Sequence, residues 1–188
     1  PALLDSFGTH LDTLMTSKDK LSKMDGAAAD LCVIENEDEF SENDIEAPAG
    51  ALFNITDQKT LYSKNANDER EIASITKIMT ALLAMKYADL SQEVTISYTP
   101  EGLESSAVLC GFEQGDKMML SSLLSAALIY SGNDAAIDIA IAVAGSQEAF
   151  VDMMNQESKE LMTSHTHFAN PTGLTQSKHY SSVYDVYL

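Results

Sequence analysis

Apolar side chains recur at Ile75, Ile78, Met79, Leu82 and Leu83, the i, i+3, i+4, i+7, i+8 series of one helical face. The spacing predicts a helix with that face, Ile75, Ile78 and Met79 included, turned into a core, and with Ser74 at its N-terminal end. Upstream, Gly50 to Thr56 and Thr60 to Lys64 read as two strands joined by a turn at Asp57-Gln58-Lys59, a β-hairpin. Val94-Thr95-Ile96 is a short extended piece. Met119 to Tyr130 is strongly apolar and predicts a buried helix, interrupted by Ser131-Gly132-Asn133 because Gly and Asn favour turns. A helix resumes from Asp134 to Ala144 and ends at Gly145. Ser146 can cap the next helix, which runs to about Met162 with Phe150, Met153, Met154 and Leu161 inward. Thr166-His167-Phe168 predicts an extended piece and Asn170-Pro171-Thr172-Gly173 a turn. The order, a hairpin followed by several helices, predicts an α+β domain with a helical lobe. Two strands make a poor sheet alone, so further strands are expected after Leu188.

The chain has 188 residues and 45% hydrophobic residues, which suits one globular domain. Its charge changes the picture more: 11 basic against 29 acidic residues give a net charge of −18. Such a surface repels phosphates, so no nucleic acid partner is expected. Residues 1–47 hold 12 acidic and 3 basic residues, half of the net charge, and read as a solvated, partly mobile segment. Leu31-Cys32-Val33-Ile34 could form a short strand within it. The acidic run from Glu35 to Glu46 lacks the glycine and the spacing of a calcium loop. No apolar stretch is long enough to span a membrane, and the N-terminus shows no signal-peptide pattern. Pro1 is not an initiator, so a processed or engineered start is expected. Cys32 and Cys110 set no disulfide framework; a bridge or two buried thiols both fit.

Ser74-Ile75-Thr76-Lys77 matches S-x-x-K. Residues at i and i+3 share a helical face, so Ser74 and Lys77 project together. A helix N-terminus carries free N–H groups and positive potential, which favour an oxyanion and disfavour a protonated lysine. Burial acts on the lysine in the same direction, toward the neutral amine that a base must be. Ser131-Gly132-Asn133, at the break between two apolar helices, can present Ser131 and Asn133 to a cleft. The motifs alone are weak: Ser17-Lys18-Asp19-Lys20 and Ser41-Glu42-Asn43 match the same patterns. On spacing and context a helix cap at Ser74 and a plain connector at 131–133 remain open. His165-Thr166-His167 puts two imidazoles on one strand face but lacks a third ligand cluster for zinc. The nine methionines lie mostly at core spacing.

Ala73-Ser74-Ile75-Thr76-Lys77-Ile78-Met79-Thr80-Ala81 resembles the nucleophile segment of bacterial serine D-alanyl-D-alanine carboxypeptidases, the low-molecular-weight penicillin-binding proteins. Tyr130-Ser131-Gly132-Asn133-Asp134-Ala135-Ala136 resembles their second motif. Leu61 to Ala66, Gly115-Asp116, Phe150 to Asn155, Phe168 to Leu174 and Tyr184-Asp185 follow in the family's order, over roughly residues 48–188. The resemblance implies a β-lactamase/penicillin-binding-protein-like transpeptidase fold, here incomplete. Residues 48–188 would be a partial catalytic domain behind the acidic segment 1–47. It implies a peptidoglycan stem peptide ending in D-Ala-D-Ala as substrate and acylation by β-lactam antibiotics. Ser74 would attack, Lys77 would accept its proton, Ser131 would relay a proton to the departing D-alanine, and Asn133 would hold Lys77 or the substrate amide. No cofactor or metal is implied. The reaction would lie outside the cytoplasmic membrane, with the parent protein exported and its signal peptide and any C-terminal membrane anchor outside this sequence.

The family's third motif, Lys-Thr-Gly, is absent; Pro171-Thr172-Gly173 lacks the lysine. Its strand should supply part of the oxyanion hole, and losing one such donor costs about 100- to 1,000-fold. The chain alone is therefore expected to be inactive, as a piece of a longer enzyme. A serine β-lactamase and a non-catalytic homologue that binds peptidoglycan or a partner are the alternatives. Ser-Gly-Asn in place of Ser-Asp-Asn, and no clear Glu-x-x-Leu-Asn, point away from a class A β-lactamase.

Overall fold

A computed structural model describes residues 45–98 and 103–188. The strand expected at 31–34, the second S-x-x-K at Ser17, the second S-x-N at Ser41 and Cys32 lie outside the described residues.

Strands β1 (Gly50–Asn54) and β2 (Lys59–Lys64) form the expected antiparallel hairpin, with a register shift between Leu52 and Phe53. The turn closes because Asn54 Oδ1 accepts the backbone N–H groups of Thr56 and Asp57, each at 3.1 Å. A 3-10 turn at Ala73–Ile75 leads into helix α1 (Thr76–Tyr87). Next come β3 (Glu93–Thr95) and β4 (Lys117–Met119), which pair antiparallel as a second small sheet. Met119 thus belongs to a strand rather than to the apolar helix, which is α2 (Leu120–Ile129). Helix α3 (Asn133–Ala144) ends at Gly145, whose φ of 84° is the left-handed stop expected there. Helix α4 (Gln147–Glu160) starts at Ser146, whose side chain accepts the N–H of Ala149. A last short helix, α5 (Val183–Tyr187), packs on β1 by stacking Tyr187 on Phe53, with ring centroids 4.0 Å apart.

Helix α3 forms the axis of the lobe, buried from Asn133 through Ala140. On one side Leu120, Leu123 and Leu124 of α2, Ala81 and Ala84 of α1, Val94 and Ile96 pack against its Ala135, Ala136 and Ile139. On the other, Met79 and Leu83 of α1 join Phe150 and Met154 of α4, Phe168 and Ala140. Burying side chains of this size stabilises by about 1.5–3 kcal/mol each. Helix α1 is wedged between the two clusters, which fixes the height and rotation of its N-terminal turn.

The rotation differs from the one its apolar spacing predicts. Met79 and Leu83 are buried, but Ile75 and Ile78 are exposed, and the inward positions between them belong to Thr76, Lys77 and Thr80. The i, i+3, i+4 count is blind to buried polar groups, and here three of them occupy the inner face. Ile75 and Ile78 instead line an apolar groove of about 810 Å³, together with Leu82, Met85, Leu128 and Val186. The C-terminal end of α2 also differs from expectation: Leu128, Ile129 and Tyr130 are exposed, although the apolar run predicts a buried helix. Met153 and Leu161, expected inward, are only half-buried beside Phe150 and Met154.

Candidate active site

Three pieces of chain converge on the start of α1. The first is the 3-10 turn that carries Ser74, which is exposed, and the first turn of α1, which carries Lys77, 2% exposed. The second is the break between α2 and α3. The third is the turn Asn170-Pro171-Thr172-Gly173. A cleft of about 220 Å³ opens among them, lined by Ser74, Ser131, Asn133, Val108, Thr172 and the carboxylate-bearing Glu104.

Ser74, Lys77, Ser131 and Asn133 come together in one hydrogen-bonded group. Lys77 Nζ lies 3.1 Å from Ser74 Oγ, 2.9 Å from Asn133 Oδ1 and 2.8 Å from the carbonyl oxygen of Thr172. Ser131 Oγ donates to Ser74 Oγ at 2.8 Å. Asn133 cannot swing away, because its Nδ2 and its backbone N–H both donate to the carbonyl of Val108, at 3.1 and 2.9 Å.

The geometry accommodates Lys77 in both protonation states: as an ammonium it donates to Ser74 Oγ, Asn133 Oδ1 and the Thr172 carbonyl. Asn133 Oδ1 and the Thr172 carbonyl can only accept, so they take two N–H bonds. The third contact is Nζ–H to Ser74 Oγ; once Lys77 loses a proton, its lone pair faces that oxygen instead. Burial pulls the Lys77 ammonium from 10.5 down to about 8. Ser74 precedes the N-terminus of α1, where the helix dipole favours negative charge. The arrangement can therefore take a proton from Ser74, return one through Ser131, and hold an anionic oxygen near the turn.

Two backbone strains mark the site. Ala73 has φ 45° and Ser131 has φ 62°, left-handed values that cost a residue with a Cβ about 1–3 kcal/mol. Both are held by neighbours. Gly173, with φ 87°, presses on the turn of Ala73; a Cβ there would overlap the Ala73 carbonyl. At Gly132 a Cβ would overlap Cys110 Sγ, so the S-x-N segment needs its glycine for close approach. Buried Asp134 fastens the facing loop by accepting the N–H groups of Cys110 and Gly111, each at 3.0 Å.

Spacing did not reveal the carbonyl of Thr172 as a partner of Lys77, nor that of Pro171, which accepts from Thr80 Oγ1 at 2.7 Å. The turn itself was legible, since Asn170 with Pro171 and Gly173 is turn chemistry. Asn170 Oδ1 knits it by accepting from Thr172 N, Thr172 Oγ1 and Gly173 N at 3.1, 2.8 and 2.7 Å. Cys110 is free, and burial followed by Asp134 pushes its thiol up to about 11, so it stays a neutral packing group. Among the described residues no group of three or more His, Cys, Asp or Glu could hold a metal ion. His165 Nδ1 faces Ser164 Oγ, and His167 Nδ1 faces the carbonyl of Lys178. Among the described residues no helix is long and apolar enough to cross a membrane.

Comparison with known proteins adds the following. Residues 36–188 match the peptidase family S11, described as D-alanyl-D-alanine carboxypeptidase. The chain is 40% identical over 146 residues to D-alanyl-D-alanine carboxypeptidase DacF of Bacillus subtilis, covering 75% of this chain and 37% of that protein. It superposes on penicillin binding protein 6B of Escherichia coli with a TM-score of 0.68 at 27% identity, covering 82% of this chain and 52% of that one. Penicillin-Binding Protein D2 of Listeria monocytogenes, in its cefotaxime-bound form, gives a TM-score of 0.68 at 25% identity, covering 79% of this chain and 62% of that one. The chain spans well under half the length of the curated relatives it matches.

Proposed function

From the premise that the chain belongs to the peptidase S11 family of D-alanyl-D-alanine carboxypeptidases, we propose that it carries the acylation machinery of a serine D,D-carboxypeptidase. The substrate is a peptidoglycan stem peptide ending in D-Ala-D-Ala. Ser74 Oγ bonds to the penultimate D-Ala carbonyl carbon while Lys77 Nζ takes the hydroxyl proton. The C–N bond to the terminal D-alanine breaks, and Ser131, hydrogen-bonded to Ser74, passes a proton to the leaving nitrogen. Water then cleaves the acyl-enzyme. Asn133 acts on Lys77 rather than on the substrate amide, because its Oδ1 faces Nζ and its Nδ2 is committed to Val108. The observation that carries the reading is a buried Lys77 held by two carbonyl acceptors with Ser74 as its third neighbour.

The same reading makes β-lactams acylating inhibitors, in keeping with relatives solved in cefotaxime- and ampicillin-bound forms. It places the reaction outside the cytoplasmic membrane, where peptidoglycan lies. Residues 48–188 are then part of a larger catalytic domain, with 1–47 a preceding acidic segment. The exposed Ile75, Ile78 and Leu128 suit the face on which the rest of such a domain packs.

The test is intact mass after incubation with a fluorescent penicillin, with Ser74→Ala as control. A stable adduct lost in Ser74→Ala is expected once the chain is extended by the family's Lys-Thr-Gly strand. An adduct in the present chain would show that Ser74 is activated without that strand. Rapid turnover of the adduct would indicate a β-lactamase, and no adduct in either form would leave a non-catalytic binding protein.

A further inference from the structure

Thr76 stands between Ser74 and Lys77, at a position that S-x-x-K leaves open. It is nevertheless 1% exposed, and its Oγ1 lies 2.7 Å from Nε2 of His179, itself 5% exposed. The other ring nitrogen fixes the tautomer. His179 Nδ1 accepts the backbone N–H of Ala169 at 3.0 Å, so it carries no proton. The ring hydrogen is therefore on Nε2 and is donated to Thr76 Oγ1. Phe168 packs edge-on against the ring, and burial followed by the nearby His167 holds the imidazole below its ordinary pKa.

The segment that bears His179 grips the nucleophile turn at several points. Ser181 bridges Arg70, with N–H to carbonyl distances of 2.8 and 3.0 Å, three residues before Ala73. Tyr180 bridges His167, and His179 Nδ1 accepts the N–H of Ala169, the residue next to the Asn170–Gly173 turn. That turn gives its Thr172 carbonyl to Lys77 and its Pro171 carbonyl to Thr80. The turn being gripped is strained at Ala73, φ 45°, and strain of this kind persists only where the surroundings impose it. Within this clamp, His179 holds the one residue that lies between Ser74 and Lys77 and turns its side chain inward.

We propose that His179 is a positioning residue for the nucleophile: its Nε2–H anchors the Thr76 hydroxyl and thereby sets the distance between Ser74 Oγ and Lys77 Nζ and keeps water from Lys77. The assignment rests on the proposed function in taking Ser74 and Lys77 as the reacting pair. Without the anchor, the junction of 3-10 turn and α-helix relaxes, Ser74 shifts, and Lys77 is rehydrated. A misplacement of about 1 Å costs on the order of 100-fold in rate.

Two readouts test this, on wild type, His179→Leu, Thr76→Val and His179→Gln, whose amide keeps a donor for Thr76. The first is the NMR titration of the Lys77 side chain, assigned by its loss in Lys77→Met. The second is the rate of acylation by a fluorescent penicillin in the chain extended by the Lys-Thr-Gly strand. The wild-type Lys77 midpoint is expected near about 8. It should rise toward the ordinary lysine value in His179→Leu and Thr76→Val and return in His179→Gln. Acylation should fall on the order of 100-fold in the first two and recover in the third. An unchanged Lys77 midpoint and acylation rate in folded His179→Leu or Thr76→Val overturns the proposal. Should His179→Leu not fold, Thr76→Val decides alone, since it differs only by a methyl for a hydroxyl. A wild type that is never acylated, but whose Lys77 midpoint depends on His179, removes the acyl-transfer reading and leaves the positioning role. Equal acylation with and without His179 does the reverse.

Discussion

On one face of α1, Thr76, Lys77 and Thr80 are buried, and each meets a partner outside the helix: His179 Nε2, Asn133 Oδ1 with the Thr172 carbonyl, and the Pro171 carbonyl. On the opposite face Ile75 and Ile78 are 47% and 59% exposed along an apolar groove. A surface helix ordinarily does the reverse. The inner face accepts the cost of burying polar groups because each is paired, and burial pulls the lysine toward the neutral amine. The outer face keeps apolar surface at the groove, the kind of patch that marks an interaction surface. The contrast teaches that the two faces differ in kind: paired polar groups inward, exposed apolar surface outward. It also separates what each should lose on mutation.

The largest effect is expected at Lys77. Lys77→Met keeps most of the side chain's length and removes the amine proposed as the base, so acylation of Ser74 in the extended chain should fall about 100- to 10,000-fold. Stability should move by a different rule. The folded state holds Lys77 at about 8 against 10.5 for the free group, so between those values the unfolded chain binds more protons than the native one. Native stability contributed by this residue therefore rises with pH across that window, by about 3 kcal/mol in all. Urea denaturation of wild type and Lys77→Met from pH 7 to 10 should show wild type gaining on the variant. A constant difference would mean that Lys77 is not held neutral by burial.

Gly173→Ala comes next. The new methyl meets the Ala73 carbonyl in a backbone already at φ 87°, and neither can yield without moving Ser74. Acylation should drop on the order of 100-fold, and stability by more than about 1 kcal/mol. Wild-type rates and wild-type denaturation midpoints would show that the 170–173 turn does not brace the nucleophile. A smaller effect follows from the pH profile. With Lys77 at about 8, roughly a tenth of the lysine is neutral at pH 7, so the acylation rate should climb about tenfold to a plateau above pH 9. A flat profile over that range would remove Lys77 as the base.

Much of this was legible in the sequence where one residue's chemistry decides the outcome. Gly145 ended α3 because a residue without a Cβ enters the left-handed region freely, and Ser146 capped α4. Ser74 with Lys77, and Ser131 with Asn133, were raised as candidates by spacing, which left a helix cap and a plain connector open; the resemblance to the carboxypeptidase motifs singled them out. The partners of Lys77 and Thr80 were not legible: a backbone carbonyl belongs to any residue, and Thr172 and Pro171 lie 95 and 91 positions away in the chain. His179, 103 positions from Thr76, looked like any other polar residue. Ile75 and Ile78 were assigned inward because apolar periodicity assumes that burial follows hydrophobicity. In α1 burial follows pairing instead: each inward polar group has a partner outside the helix.

The smallest predicted effect tests the outward face directly. Ile78→Thr keeps β-branching and removes apolar surface from a position already 59% exposed, so little burial is lost. Chemical denaturation should register a change within about 0.5 kcal/mol, as for surface positions in general. Leu83→Ala, one turn on and 0% exposed in the second core cluster, should cost about 2–5 kcal/mol. A large loss at Ile78 would mean that the groove is filled in solution and that α1 is buried on both faces. A small loss at Ile78 beside a large one at Leu83 would confirm that α1 is held in this lobe by its inner face, with Ile78 contributing no core packing.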